Sequence, residues 1–347
     1  MNIGIYGTGL AGKAVFEALD RMNIPVAFFL DGDSNKVGLT FCNREIVDLN
    51  KIPKNCDILI AANPKYGIHH RLESADIKSW KYVDPEFLRL LSEGYTEQKI
   101  NSILQDNTDK IHRVYDELAD ERSKLVFESI LRHRKEHNLA LLNNICDENQ
   151  YFGNDIIGLP EKNFVDCGAF TGDTLKRFLN KISGGGRYHY YAFEADEKNS
   201  DAIVTFCKNN KIKDVDIFNI AVCEKKQTLH FAKDLNDEKV AGKITDYGDE
   251  RSICVQGDSL DNILGEKKID MITMDIEGAE INALQGACNI IRNQHPKLAI
   301  SAYHDIKHLW EIPILIHEIS PEYHIYYRHH RWNMDDTVCY AIYEDKE

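Results

Sequence analysis

The sequence predicts an α/β protein in which doubly wound parallel sheet dominates. Three observations carry this. From residue 160 onward, short apolar runs alternate with amphipathic helical patterns, as repeated βα units do. Two such regions open with an apolar run, a glycine turn and a helix. In each, the next apolar run ends in an acid some way on: Asp31 in the first, Glu194 in the second. Strand, glycine turn, helix, strand, acid is the arrangement of a nucleoside site. Backbone without a Cβ lies close to one end of the ligand, and the acid takes the ribose hydroxyls.

The chain has 347 residues, long for one domain and comfortable for two. It is 43% hydrophobic and 28% charged, an ordinary globular balance. The formal net charge of −14 argues against nucleic acid as a bulk partner, because phosphate binding needs a basic field. A local basic patch around Arg328 and Arg331 is left open. The start, MNIGIYGTG, has no basic segment followed by an apolar one, so no signal peptide is expected and the expected location is cytoplasmic. No apolar run approaches the ~20 residues of a membrane span. Nine scattered cysteines show no zinc spacing and are expected to be reduced and inert, Cys167 in the second glycine turn included.

Residues 1–85 read as a small Rossmann-like nucleotide-binding domain. The strand Ile3-Gly-Ile-Tyr6 leads into Gly7-Thr-Gly-Leu-Ala-Gly12 and a helix, and Val26-Ala-Phe-Phe-Leu30 ends at Asp31. Gly7, Gly9, Gly12 and Asp31 thus form a candidate second nucleotide site. The region closes soon after the strand Asp57-Ile-Leu-Ile-Ala-Ala62, with no catalytic domain beside it. A docking or scaffold module that keeps a nucleotide fold is the competing reading. Residues 86–150 read as a helical linker. They hold no Pro or Gly from Tyr95 to Gly153, and apolar residues recur three and four apart, so two or three helices are expected there, with Glu117, Glu121 and Lys124 on a solvated face.

Residues 151–347 form the third region. Its organising stretch is Asn163-Phe-Val-Asp-Cys-Gly-Ala-Phe-Thr-Gly-Asp-Thr174. Strands are expected at Phe164-Val165, Tyr190–Phe193, Asp216–Val222, Asp270–Asp275 and Lys297–Ala302. His324–Arg328 and Thr337–Ile342 face each other across a polar loop and predict a terminal antiparallel hairpin. Gly184-Gly-Gly186 marks a loop.

A parallel sheet closed by an antiparallel hairpin, with a glycine turn and an acid ending the second strand, resembles the class I S-adenosylmethionine-dependent methyltransferases. Val165–Thr174, Phe193-Glu-Ala-Asp196, Asp258-Ser-Leu-Asp261, Ile272–Glu280 and Ala283-Leu-Gln-Gly286 together look like the FkbM family. The likeness covers roughly 151–347. One departure is Ala195, where the family often has proline. Residues 1–85 more loosely resemble the nucleotide-sugar-binding N-terminal domain of some sugar acyltransferases.

The resemblance implies S-adenosyl-L-methionine as cofactor and a site made of Asp166, Gly168, Ala169, Thr171, Gly172, Asp173, Glu194, Ala195, Asp258, Ser259 and Asp275. The backbone of Gly168 and Ala169, with Asp166, would meet the methionine end. Glu194 would take the ribose hydroxyls, and Asp258 with Ser259 the adenine amino group; each acid is alternatively a cap or turn residue. Asp275, Glu277 and Glu280 cluster at one strand end and could hold Mg²⁺. The preferred reading has no metal, because the resemblance brings none: Asp275 touches cofactor or acceptor, Glu277 orients loops and Glu280 caps a helix. Methyl transfer to a hydroxyl needs an aligned acceptor and a base. His304 is the candidate base and Asp275 its rival.

The expected function is therefore O-methylation of a sugar or other small hydroxyl acceptor in glycan or natural-product biosynthesis. The expected partners are a small-molecule or sugar-linked acceptor and a nucleotide or nucleotide sugar at the N-terminal domain, with no nucleic acid and no membrane; an oligomer is open. The alternatives are a non-catalytic nucleotide-binding sensor or scaffold, and an NAD-dependent oxidoreductase run by Gly7–Gly12, for which no hydride-transfer residues are evident.

Overall fold

The computed structural model describes residues 2–160, 162–182, 188–232, 243–245 and 252–344. The Gly184–Gly186 loop marker lies outside them. The elements are β1 Ile3–Tyr6, α1 Leu10–Arg21, β2 Val26–Leu30, β3 Thr40–Phe41, β4 Arg44–Glu45, β5 Asp57–Ile60, α2 Ile68–Ser74, β6 Trp80–Tyr82, α3 Pro85–Ser92, α4 Glu97–Asp106, α5 Thr108–Glu117, α6 Glu121–Glu136 and α7 Leu139–Asn143. They continue with β7 Asn163–Cys167, α8 Asp173–Lys181, β8 His189–Phe193, α9 Glu197–Asn209, β9 Val215–Phe218, β10 Ala221–Val222, β11 Gln227–Ala232, β12 Lys243–Thr245 and β13 Ser252–Asp258. The last are α10 Leu260–Leu264, β14 Met271–Met274, α11 Glu280–Gln285, α12 Cys288–Gln294, β15 Lys297–Ser301, α13 His308–Ile319, β16 Tyr323–His329 and β17 Thr337–Tyr343.

Two compact units emerge. The first comprises Met1–Asp109, Leu125–Cys146 and Arg331–Asp335; the second comprises Lys110–Lys124, Asp147–His330 and Asp336–Glu347. In the first unit, β1, β2, β5 and β6 form a parallel sheet in the order β2-β1-β5-β6. The turn after β1 needs glycine twice. Gly7 sits at φ 121°, and a Cβ on Gly12 would lie 1.9 Å from the Gly7 carbonyl oxygen, so α1 seats against the turn only without a side chain there.

The expected linker, 86–150, holds five helices, α3 to α7, rather than two or three. Polar caps cut the apolar periodicity where hydrophobic spacing alone runs on. Thr96 and Asn138 accept backbone N–H groups at the starts of α4 and α7, and Asp120 accepts the Ser123 amide at 2.6 Å where α6 begins.

The second unit is built on a seven-stranded sheet ordered β16-β17-β15-β14-β7-β8-β9. Strands β15, β14, β7, β8 and β9 are parallel, and β17 and β16 run antiparallel. Chain order runs outward from β7 on one side through β8 to β9, and on the other from β14 to β15. The switch point is therefore between β7 and β14, where open α/β sheets bind ligands. β7 is locked by apolar packing. Phe164 is fully buried, with ring centroids 5.5 Å from Phe152, 5.4 Å from Phe178 and 4.9 Å from Tyr190.

The expected strand 216–222 is two strands in different sheets. β9 ends the large sheet, and β10 joins a second, mixed sheet ordered β10-β13-β11-β12. Asn219 lies between them and its amide donates to the carbonyls of Glu194 and Ala195 at 3.0 and 3.1 Å. Arg328 is not part of a surface basic patch: it is fully buried and pairs with Asp120 and Asp155 at 2.8 and 2.7 Å. Among the described residues, no helix is long and apolar enough to cross a membrane. All nine cysteines are free thiols.

Candidate functional site

The site is assembled where β7, β8, β14 and β15 end. Gly168, at φ 84°, follows β7, and a Cβ there would lie 2.0 Å from the Asp275 carbonyl oxygen. This glycine is what allows the β7 turn to lie against the end of β14. The amides of Gly168 and Ala169 both donate to the Phe193 carbonyl, at 2.9 and 3.0 Å. They tie β7 to β8 and are committed within the protein, contrary to a role as donors to a ligand carboxylate. Gly172 takes the left-handed position before α8, Asp173 stands in that helix's first turn, and the Thr171 carbonyl accepts the Lys176 ammonium.

Asp166 is 3% exposed and closed over by its neighbours. It accepts from the Tyr190 hydroxyl and, at 2.8 Å, from the Thr273 hydroxyl. Burial outweighs those bonds and pushes its pKa up to about 6. Its carboxylate joins β7, β8 and β14 rather than facing the cleft.

Glu194 is arranged differently. One carboxylate oxygen accepts the Phe170 amide at 2.8 Å and the other the Asp196 amide at 2.8 Å. The Asn199 side chain is a third donor, and a carboxylate offers about four acceptor positions, so capacity for a further donor remains. That capacity can take a hydroxyl donor. Burial pushes its pKa up to about 7 against the two amides. Ala195 joins Glu194 to Asp196, whose side chain caps α9. Phe170 holds φ 44°, rare for a side chain of that size, and this aims its amide at Glu194.

Asp258 ends β13, where it accepts the Ser259 amide at 2.8 Å and both its oxygens accept from the Asn262 amide at 3.0 Å. Ser259 caps α10 through the Asn262 N–H. Both residues thus make the local capping bonds that were the alternative reading.

Asp275, Glu277, Glu280 and His304 do come together. His304 has its Nδ1 2.9 Å from Glu280 and its Nε2 3.4 Å from Asp275 and 3.6 Å from Glu277. Burial opposes its charge, but Glu280, Asp275 and Glu277 outweigh this and raise its pKa to about 10. Such a histidine holds a proton at neutral pH and is a poor base. Asp275 is raised to about 7, chiefly by burial, with Asp336, Glu277 and Glu280 adding to it against His304. Its side chain keeps 31% exposure, so the rival is the better-placed base. Glu280 is fully buried and, contrary to the expected cap, makes no capping bond to α11: it accepts the Ile276 amide at 3.0 Å and holds down the loop in which Glu277 has φ 55°.

Sequence reasoning missed Tyr303, whose hydroxyl donates to Asp275 at 3.0 Å. It also missed His308, whose Nδ1 is 3.3 Å from Glu280. Their signal was position, since both lie just past the end of β15. The candidates Gly7, Gly9, Gly12 and Asp31 belong to the first unit. There Asp31 accepts from the Thr8 amide at 3.1 Å, the Thr8 hydroxyl, the Asp33 amide at 2.9 Å and the Lys36 ammonium at 3.0 Å.

The family described as the methyltransferase FkbM domain matches residues 166–333. A search of curated proteins returns no match. A crystal structure of a methyltransferase FkbM from Methylobacillus flagellatus KT is 20% identical, with a TM-score of 0.74, and covers 98% of this chain and 89% of that one. At that identity the likeness is one of fold. A SAM-dependent methyltransferase from Aquifex aeolicus is 13% identical, with a TM-score of 0.33, covering 53% of this chain and 84% of the other. Aeropyrum pernix fibrillarin, solved with S-adenosyl-L-methionine, is 14% identical, with a TM-score of 0.33, covering 54% and 70%. Residues 166–333 of this chain are similar to the methyltransferase FkbM domain.

Proposed function

We propose that the protein transfers a methyl group from S-adenosyl-L-methionine to a hydroxyl of a sugar or other small acceptor. The observation that carries this is Glu194, a buried carboxylate beside the switch point that keeps acceptor capacity beyond its three protein donors. The cofactor, when bound, supplies an activated methyl on a sulfonium. The chain's own residues hold the acceptor oxygen in line and take its proton. Asp275 takes that proton in this reading, with Tyr303 orienting it. The methionine ammonium goes to carbonyl oxygens of the turn at Gly168, since the amides there are used. Isothermal titration of the full chain with S-adenosyl-L-methionine tests the reading. Micromolar binding that is lost in Glu194→Ala supports it, and binding indifferent to that substitution sinks it. Turnover is then read as S-adenosylhomocysteine formed with a panel of sugars and hydroxy acids.

For residues 1–85, one observation favours the scaffold reading over a nucleotide-sugar site. The Asp31 carboxylate, the group that would take ribose, is filled by Thr8, Asp33 and Lys36. Titration with a uridine or cytidine diphosphate sugar should then show no heat. Saturable binding removed by Asp31→Ala restores the nucleotide-sugar site.

A further inference from the structure

The cluster around His304 holds buried polar atoms that methyl transfer leaves unused. The His304 side chain is 9% exposed, yet neither ring nitrogen has a partner in hydrogen-bonding geometry; the contact to Glu280 is an off-axis ion pair. Glu280 Oε2 and His308 Nδ1, both buried, are in the same condition 3.3 Å apart. Buried polar atoms are paired in the great majority of cases. Here four that are not lie together. The carboxylates of Asp275, Glu277 and Glu280 also converge on a single histidine, an excess of negative charge in which Glu280 is fully buried and the other two are partly exposed.

We propose that Asp275, Glu280 and His304 bind a divalent transition-metal cation of the Mn²⁺ or Zn²⁺ class. Each offers one ligand atom, and the three atoms lie within 4.8 Å of one another. Ligand bonds of about 2.0–2.2 Å close that gap with small side-chain movements. A mixed imidazole and carboxylate set selects Mn²⁺, Fe²⁺ or Zn²⁺ over Mg²⁺ or Ca²⁺, which take oxygen ligands alone. Glu277, at the rim with its carboxylate 3.6 Å from Nε2, is within reach as a further ligand. His308 Nδ1 lies 3.3 Å from Glu280 Oε2, within reach of a second-layer contact once that carboxylate turns to an ion. An ion held here polarises a hydroxyl bound at the same sheet edge. That consequence rests on the methyl-transfer reading; the binding of the ion does not.

The test uses the full chain, stripped with a chelator and dialysed. Free Mn²⁺ is followed by electron paramagnetic resonance as the chain is titrated, and Zn²⁺ and Mg²⁺ are then added as competitors. One Mn²⁺ per chain is expected, displaced by Zn²⁺ and not by equal Mg²⁺, and weakened at least tenfold in both Asp275→Asn and His304→Ala. Asp275 is partly exposed, so its variant keeps the test alive if the buried histidine variant fails to fold, which circular dichroism reports. Absence of stoichiometric binding overturns the proposal, as does binding unchanged in the folded variants, which would be an adventitious ion only. S-adenosyl-L-methionine is titrated in parallel against the stripped chain. Its failure to bind strikes the methyl-transfer reading and not the cation site.

Discussion

Burial raises the Glu194 pKa from 4.5 to about 7, although two amides donate to it. The sign of the consequence is opposite to that of most carboxylates. Between about pH 4.5 and 7 the folded chain binds more protons at this position than the unfolded chain, so its contribution to stability falls as pH rises. Relative to Glu194→Gln, the wild-type protein should lose on the order of 2–3 kcal/mol across that window. Urea denaturation of both proteins at pH 5 and pH 7.5 measures this; a constant difference refutes it. Ligand binding should run the other way. Ribose hydroxyls donate to the ionised form, so affinity for S-adenosyl-L-methionine should fall as pH drops below about 7, approaching tenfold per pH unit, with proton release on binding at pH 6.5. Calorimetry in two buffers of different ionisation enthalpy reads both. At the neighbouring cluster, Asp275→Asn should lower turnover by roughly 10²–10⁴ if Asp275 is the base, with cofactor affinity little changed. Single-turnover formation of S-adenosylhomocysteine separates the two.

At the scale of elements, the β7 strand and its turn position the site, and two substitutions probe that. A side chain at Gly168 meets the Asp275 carbonyl at 2.0 Å and takes a left-handed φ of 84°. Neither fault is relieved by a rotamer change, because the obstruction is backbone. Gly168→Ala should therefore cost about 3 kcal/mol or more, beyond the usual glycine effect, by adding a clash to the strain. Phe164→Ala, in contrast, removes the ring that Phe152, Phe178 and Tyr190 surround and leaves a cavity, costing about 3–5 kcal/mol. Both are read as the fall in denaturation midpoint. Gly168→Ala alone should also displace Asp275, so the surviving folded fraction should have lost turnover. Phe164→Ala should keep turnover in its folded fraction, because the cavity lies along β7 and away from its carboxyl end.

Across the whole molecule, what the sequence made legible is what depends on neighbours in the chain. The alternation of apolar runs and helical stretches gives β7, β8, β14 and β15, and the placing of Glu194, Asp275 and His304 at strand ends follows from it. Commitments made across the chain were not legible. Nothing near Asp166 announces that Tyr190 and Thr273 close over it, and nothing local forewarns that His304 sits among three carboxylates. The mixed sheet of β10, β11, β12 and β13 was hidden because its buried cluster is small, Ala221, Phe231 and Val255 among the described residues. Arg328 is the plainest case. In sequence it stands near Arg331 and reads as surface charge, whereas in the second unit it is fully buried. Its guanidinium pairs with Asp120 and Asp155, and it also donates to the Ser123 hydroxyl at 3.0 Å and the Tyr327 carbonyl at 2.7 Å. Both acids keep their pKa below the usual carboxylate range; burial opposes this at Asp120, where Arg328 prevails, and Arg328 is the main cause at Asp155. The acids are 33% and 45% exposed, so water screens part of the attraction. Arg328→Ala leaves a cavity, a lost buried network and two acids that can turn to solvent, and should cost about 2–4 kcal/mol. Arg328→Lys should recover little of it, since one ammonium cannot replace a planar fork bonded to two carboxylates, a hydroxyl and a carbonyl. Arg132→Ala, which removes an exposed pair with Glu136, should leave the denaturation midpoint unmoved. If Arg328→Ala were as silent as Arg132→Ala, the buried network would contribute nothing to the stability of this unit.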